Sequence, residues 1–374
     1  LFSFTGLLVP KSAPASRTPD YYPALNGLRA IAVLGVVFTH YFPQEYWPFG
    51  VHWGSYRVRL FFVISGFLIT HLIMREIGSK TTRSFDFSRF MWKRQARLFP
   101  GLLAFLAICL LLDIDGLRET FGWHLLYLSN FLFTVKHAWG GTASHLWSLA
   151  VEVQFYIIWP LLILLVRPNR LPLLFVGVVV IGPLFRYLWW AVGPGEFGAW
   201  VLPPSCFDSL GVGALVSLSS RNSWRHRLGW ISAAFVGAAL FFLPPTFFTM
   251  TADLKITGAS LIFGWLVYAC AGGHPLPYLK ALLSLPVLQY LGLISYGIYL
   301  YHTLVAKIFE RLFGEVFSFE IDRVIWVMLT IGFATMSYYW WEAPANRHLR
   351  SLLSPSPRRD SQLAMLSGKE GEPT

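Results

Sequence analysis

Charge is what this chain has least of. Asp, Glu, Lys and Arg make up 13% of its 374 residues, against about 25% in soluble globular domains. Half the usual solvating surface is missing, which excludes a disordered chain and an ordinary water-facing enzyme. Cysteine is scarce too. Cys109, Cys206 and Cys270 lack metal-ligand spacing and are too few for a disulfide scaffold, so free, buried thiols are expected. What the chain has instead is apolar bulk: 55% hydrophobic residues, with 32 Phe and 16 Trp, and a mean hydropathy of +0.53. Such a composition is expected of an all-α, polytopic membrane helix bundle.

A hydrocarbon core of about 30 Å takes roughly 20 helical residues to cross. Ten stretches qualify, at about 25–44, 59–77, 89–112, 145–166, 171–192, 203–219, 228–245, 255–273, 287–306 and 323–341. The sixth is short. Leu1–Pro10 is apolar but runs into Lys11, so a cleavable signal peptide is not expected. Residues 1–24 read as an N-terminal cytoplasmic segment, 25–346 as the transmembrane domain and 347–374 as a polar cytoplasmic tail.

The formal net charge is +11. On the ten-span layout, 21 of the 30 Lys and Arg residues lie on the side of the termini, among them Arg75, Lys93, Arg221 and Arg350. The acids Glu45, Asp113, Asp115, Glu119, Glu196 and Asp253 lie opposite. By the positive-inside rule both termini are expected in the cytoplasm, and an even span count agrees. The positive charge is therefore a topology signal. Membrane lipids are expected partners and nucleic acid is not. No internal repeat is visible, which weighs against a secondary transporter.

Ionisable groups inside spans are costly unless they have work or a partner. Arg29 and His40 share one stripe of the first span, because eleven residues turn the helix about 20° past three full turns while rising about 16 Å. Arg29 falls at the cytoplasmic mouth and His40 toward the outer half. A mid-membrane imidazole suits proton chemistry, though a snorkelling Arg29 and a structural His40 fit as well. At the start of the third span Arg94 and Arg97 share a face. Guanidiniums there suit bidentate phosphate contacts, whether of a ligand or of lipid headgroups. In the fourth span Ser148, Glu152, Phe155 and Tyr156 fall on one helical face. Glu152 lies about two turns from the outer surface, placed to trade protons, orient an imidazole or pair with a structural cation. Ser295, Tyr299 and His302 line one face of the ninth span, while Tyr301 reads as interfacial belt. His124, His137 and His145 lack metal spacing, and no metal site is expected.

Seven segments, in order, are similar to those of the acyltransferase-3 family of membrane O-acyltransferases. They are LNGLRAIAVLGVVFTH (25–40), LFFVISGFLIT (60–70), FMWKRQARLFP (90–100), HLWSLAVEVQFYIIWP (145–160), FDSLGVGAL (207–215), LGLISYGIYLYH (291–302) and EAP (342–344). The family's Arg-x10-His falls on Arg29 and His40, its Arg-x-x-Arg on Arg94 and Arg97, and its Ser-x-x-x-Glu-x-x-Phe-Tyr on Ser148, Glu152, Phe155 and Tyr156. Three departures stand out. Asn26 replaces an Asp, Arg57 and Arg59 replace the Gly and Asp of a Gly-Val-Asp, and Cys206 replaces an Arg. The last two are expected near the outer face, where they bear on the acceptor. The periplasmic esterase-like domain of longer members is not expected here.

The resemblance implies ten core helices in a bacterial inner membrane, acyl-CoA (expected to be acetyl-CoA) as cytoplasmic donor, and a saccharide or glycolipid acceptor outside. The donor phosphates would meet Arg94, Arg97 and Arg29. His40 would act as general base on the acceptor hydroxyl, or accept the acyl group itself. Glu152 would orient His40 or hold the sugar, with Ser148, Tyr156, Tyr296 and His302 on the acceptor side. Two rivals remain: an acyltransferase acting on a membrane lipid, and a proton-coupled transporter using His40 and Glu152 as its relay.

Overall fold

The structure, a computed structural model, describes residues 22–46, 53–78, 84–193, 195–243, 248–273, 276–314 and 316–352. Most of the expected cytoplasmic segment 1–24 and of the tail 347–374 lies outside the described residues. Within them all regular structure is helical. The first half contains α1 (Pro23–Tyr41), α2 (Trp53–Gly78), α3 (Phe87–Leu111), α4 (Leu117–Leu125), α5 (Ser129–Lys136) and α6 (Leu146–Leu165). Next come α7 (Leu171–Val192), α8 (Glu196–Val201), α9 (Phe207–Leu218), α10 (Trp224–Phe241) and α11 (Phe248–Tyr268). The chain closes with α12 (Pro277–Leu283), α13 (Pro286–Leu293), α14 (Ser295–Phe313), α15 (Phe319–Ser337) and α16 (Ala343–Ser351).

Six helices among the described residues are long and apolar enough to cross a membrane: Pro23–Tyr41, Tyr56–Gly78, Phe87–Leu111, Gly141–Leu165, Pro168–Val192 and Leu254–Gly272. The other four expected spans also hold helix, but of a different character. α9 has 12 residues, a rise of about 18 Å. α10 opens on the polar run Trp224-Arg225-His226-Arg227. The ninth stretch breaks at Ile294, between α13 and α14. α15 carries Glu320 and Asp322 in its first turn. Integral-membrane character therefore rests on the six.

Close backbone contact joins α2 to α9. A Cβ on Gly66 would stand 2.1 Å from the Leu210 carbonyl oxygen, and one on Gly213 2.1 Å from that of Val63. Small residues permit this approach where lipid offers no hydrophobic drive between helices. Above the contact sits a buried ionic knot. Asp208, at the start of α9, takes Arg186 of α7 at 2.7 Å and lies 3.9 Å from Arg59 of α2. Thr257 of α11 adds a 2.8 Å hydrogen bond, and both arginines also donate to the Ser205 carbonyl. All three charged side chains are essentially inaccessible. Arg59 is therefore a packing element tying four helices, not an exposed acceptor contact. Arg57 donates to the Gly35 carbonyl and sits 5.9 Å over the Phe38 ring, bracing α1.

α3 is anchored around Pro100, whose missing N–H leaves a gap in the helical ladder. Side chains grip the neighbouring carbonyls: Tyr296 donates to Leu98 at 2.5 Å, Trp341 to Pro100 at 2.7 Å and Tyr301 to Gly101 at 3.3 Å. These bonds set the height of the turn carrying Arg94 and Arg97 against α14. Outside the spans, Asp115 accepts from the Thr142 backbone N–H at 2.7 Å and hydroxyl at 2.6 Å, and pairs with Lys307 at 3.3 Å. Burial opposes its ionisation, but these contacts outweigh it and hold the carboxyl below its usual range. The three cysteines are free and buried.

Candidate active site

An open-mouthed cavity lies between α1, α2, α3, α6 and α14. Its polar lining follows from helical spacing. α1 contributes Arg29, α3 contributes Arg94 and Arg97, and α6 turns Ser148, Glu152 and Tyr156 to it from one face. α14 adds Ser295, Tyr296 and Tyr299. Seven of the nine residues expected from the sequence thus meet at one cavity. His40 and His302 are not on its wall.

One end of the cavity is strongly cationic. Among the described residues none of Arg29, Arg94 and Arg97 forms an ion pair with a carboxylate. Arg94 lies 5.4 Å over the Phe90 ring and 5.9 Å over Tyr156, and its Nε is buried without a hydrogen-bond partner. The single wall carboxylate is already engaged. Glu152 Oε1 accepts from Ser65 at 2.5 Å and from the Tyr156 hydroxyl. Three guanidiniums facing one carboxylate, itself hydrogen-bonded through Oε1 to Ser65 and Tyr156, leave positive charge in excess, which suits a polyanionic ligand.

Off the cavity wall, beside Tyr299, three imidazoles come together. His40, exposed at the end of α1, meets His302 edge-on with ring centroids 4.7 Å apart, and His302 meets His145 at 5.1 Å. Tyr299 links this cluster to the cavity: its ring lies 5.3 Å from His145 and 6.0 Å from His302. Its hydroxyl contacts Ser148 at 2.6 Å and donates to the His145 carbonyl at 2.7 Å.

Some roles shift against expectation. Glu152 is bonded to Ser65 and Tyr156, so the contact on His40 is made by His302 instead. The Tyr296 hydroxyl is committed to the Leu98 carbonyl, which makes it an anchor of α3 as well as a wall. Three residues escaped the sequence reading: Ser65, His145 and the buried Asp208. A faint signal existed for each. Ser65 and Asp208 stand inside the quoted segments, and His145 is one helical turn before Ser148. Outside the spans, His124 and Ser129 bond at 2.8 Å, and burial with nearby Lys136 lowers the imidazole pKa to about 4. Among the described residues no three His, Cys, Asp or Glu side chains are arranged to hold a metal.

Two curated relatives are similar along most of the chain. The peptidoglycan O-acetyltransferase OatA of Listeria monocytogenes is 26% identical over 88% of this chain and 56% of its own length. The O-acetyltransferase OatA of Staphylococcus aureus is 26% identical over 93% of this chain and 61% of its own. The chain thus spans about three fifths of the length of these relatives. No solved structure matches it significantly. The family model described as an acyltransferase domain matches residues 22–341, nearly all of the described helical body, and the chain belongs to that acyltransferase-3 family.

Proposed function

We propose that this chain is the membrane part of an O-acyltransferase that moves an acyl group, acetyl in the simplest case, from cytoplasmic acyl-CoA to a hydroxyl of a saccharide or glycolipid outside. The observation that carries this reading is the excess of unpaired guanidinium charge in the cavity and the imidazole cluster that Tyr299 joins to it. Arg29, Arg94 and Arg97 bind the donor phosphates. The extended pantetheine arm runs along the wall of α2 and α6 toward His40, comparable in reach to the rise of about 16 Å between Arg29 and His40 on α1. His40 takes the proton of the acceptor hydroxyl as its oxygen attacks the thioester carbonyl. Ser148, Tyr156, Tyr299 and Glu152 form the wall past which acceptor and thioester meet. The layout is that of ten helices in a bacterial inner membrane with both termini cytoplasmic.

Donor binding is the direct test. Arg94→Ala and Arg97→Ala should each weaken acetyl-CoA binding about tenfold to a hundredfold, since a charge-assisted hydrogen bond contributes roughly 1.5–3 kcal/mol. Lys at either site should restore only part, because the planar fork is lost. Titration of acetyl-CoA onto detergent-purified protein reads this out. Unchanged affinity in the double Ala variant would assign the pair to lipid phosphate.

The sidedness is tested by cysteine labelling. The native thiols are buried, so background is low. Gly116 has φ of +64° and would strain as Cys; exposed Glu119 serves for that loop and exposed Ser220 for the opposite side. An impermeant maleimide added to intact cells should label Glu119→Cys and spare Ser220→Cys. The reverse pattern inverts the topology.

A further inference from the structure

We infer that His302 is a positioning residue for His40. On this inference the His40 ring turns its N–H onto His302 Nε2, which stands without a partner in the structure, and so fixes the tautomer whose other nitrogen is a free base. The inference rests on the reading of His40 as general base.

Hydrogen-bond bookkeeping in the imidazole cluster leaves little choice. His302 Nδ1 stands 2.7 Å from the Tyr299 carbonyl oxygen. A carbonyl only accepts, so Nδ1 carries the proton and Nε2 is a bare lone pair. That Nε2 is wholly buried and has no partner. His145, the neighbour on the other flank, cannot supply one. The Thr303 hydroxyl donates its only proton to the Thr142 carbonyl at 2.7 Å, so it accepts from His145 Nδ1 at 3.3 Å. His145 Nδ1 therefore holds the proton of that ring, and its Nε2 is a second buried, unpartnered acceptor. Two acceptors do not bond each other.

His40 is the ring in edge contact with His302 that is itself exposed. A neutral imidazole has one N–H and one lone pair. Given to His302 Nε2, the N–H of His40 satisfies an acceptor whose isolation costs free energy and aims the remaining lone pair away from the buried ring. This is the service a carboxylate performs in a catalytic triad, done here by a neutral ring whose own tautomer is locked by a backbone carbonyl. The step then balances. The acceptor oxygen forms the C–O bond at the thioester carbonyl while its proton passes to the free nitrogen of His40. The C–S bond breaks, the thiolate of CoA leaves, and the imidazolium returns that proton to the sulfur. His302 neither gains nor loses a proton.

The test is a double-mutant cycle on membranes incubated with radiolabelled acetyl-CoA, reading label retained in the macromolecular and lipid fractions. His302→Phe keeps the ring against His145 and removes the acceptor. His302→Gln offers an amide oxygen that can take the N–H. The Phe variant should lose 10- to 100-fold in rate at saturating acetyl-CoA, with the half-saturating concentration unchanged, and the Gln variant should recover part of that loss. In a His40→Gln background the Phe substitution should cost nothing further. Equal losses in both backgrounds, or a Phe variant within twofold of wild type, overturn the inference. If the Phe variant is not recovered folded, His302→Asn replaces it, its shorter amide falling short of His40; Asn and Gln variants of equal activity then overturn it. A fully active His40→Gln protein instead defeats the general-base reading itself, whereas an inactive one beside an active His302→Phe defeats only the present inference.

Discussion

A His40→Gln protein should insert, stay monodisperse in detergent, bind acetyl-CoA as tightly as wild type, and transfer acyl groups roughly 10²–10⁴-fold more slowly, the usual contribution of a positioned acid–base group. The separation of binding from chemistry follows from the geometry. Arg29, Arg94 and Arg97 line the cavity, whereas His40 stands off its wall against His302. Glutamine keeps a hydrogen-bonding end of similar length but takes up no proton near neutral pH. A His40 that only satisfied a neighbour would be replaced with little loss. Acetyl-CoA affinity by titration and label transfer on membranes measure the two halves separately, and near-wild-type turnover by a folded His40→Gln protein would sink the mechanism.

The second large effect is expected on stability and has nothing to do with the cavity. Asp208→Ala should destabilise the helical body by about 3–5 kcal/mol, the cost of stripping one partner from a buried ion pair. Asp208 holds Arg186 at 2.7 Å and Arg59 at 3.9 Å, and both guanidiniums are 1% exposed, so no water replaces the carboxylate. Asp208→Asn keeps an oxygen toward Thr257 and should fall between Ala and wild type. The temperature at which the monodisperse detergent peak disappears gives the order. Because Asp208 is not on the cavity wall, acetyl-CoA affinity of the protein that stays folded should be unchanged. An Ala variant that melts with wild type would show the knot to be energetically idle.

The sequence exposed what depends on spacing along one helix. Arg94 with Arg97, and Ser148 with Glu152 and Tyr156, sit at helical intervals, and each set does face the same space. Hydropathy located helix in all ten stretches, because a long apolar run has few other ways to satisfy its backbone in lipid. It overstated α9, whose apolarity comes from packing against α2 and α7 rather than from length. Contacts between distant segments stayed hidden. Nothing in the spacing of His40, His145 and His302 announces that a helix end, a helix start and a mid-helix residue will share one cluster. As the only acid well inside an expected span, Glu152 reads as an orienter of His40 or a sugar contact. The fold instead gives it Ser65, from a helix whose sequence advertised only hydrophobicity.

The hydrogen bonds around the imidazoles also matter to the energetics of the cell. Protons hop along chains in which each member can both receive and release one, and a backbone carbonyl can only receive. Among the described residues, three chains in the imidazole cluster finish on such an oxygen. Tyr299 delivers its proton to the carbonyl of His145, His302 to that of Tyr299, and His145, by way of Thr303, to that of Thr142. A site carrying histidines and a glutamate through an energised membrane could short-circuit the gradient across it. In the proposed O-acyltransferase, dead ends of this kind would insulate the site, so that proton movement stays local to the ester being made. They also count against the relay that a proton-coupled transporter would need.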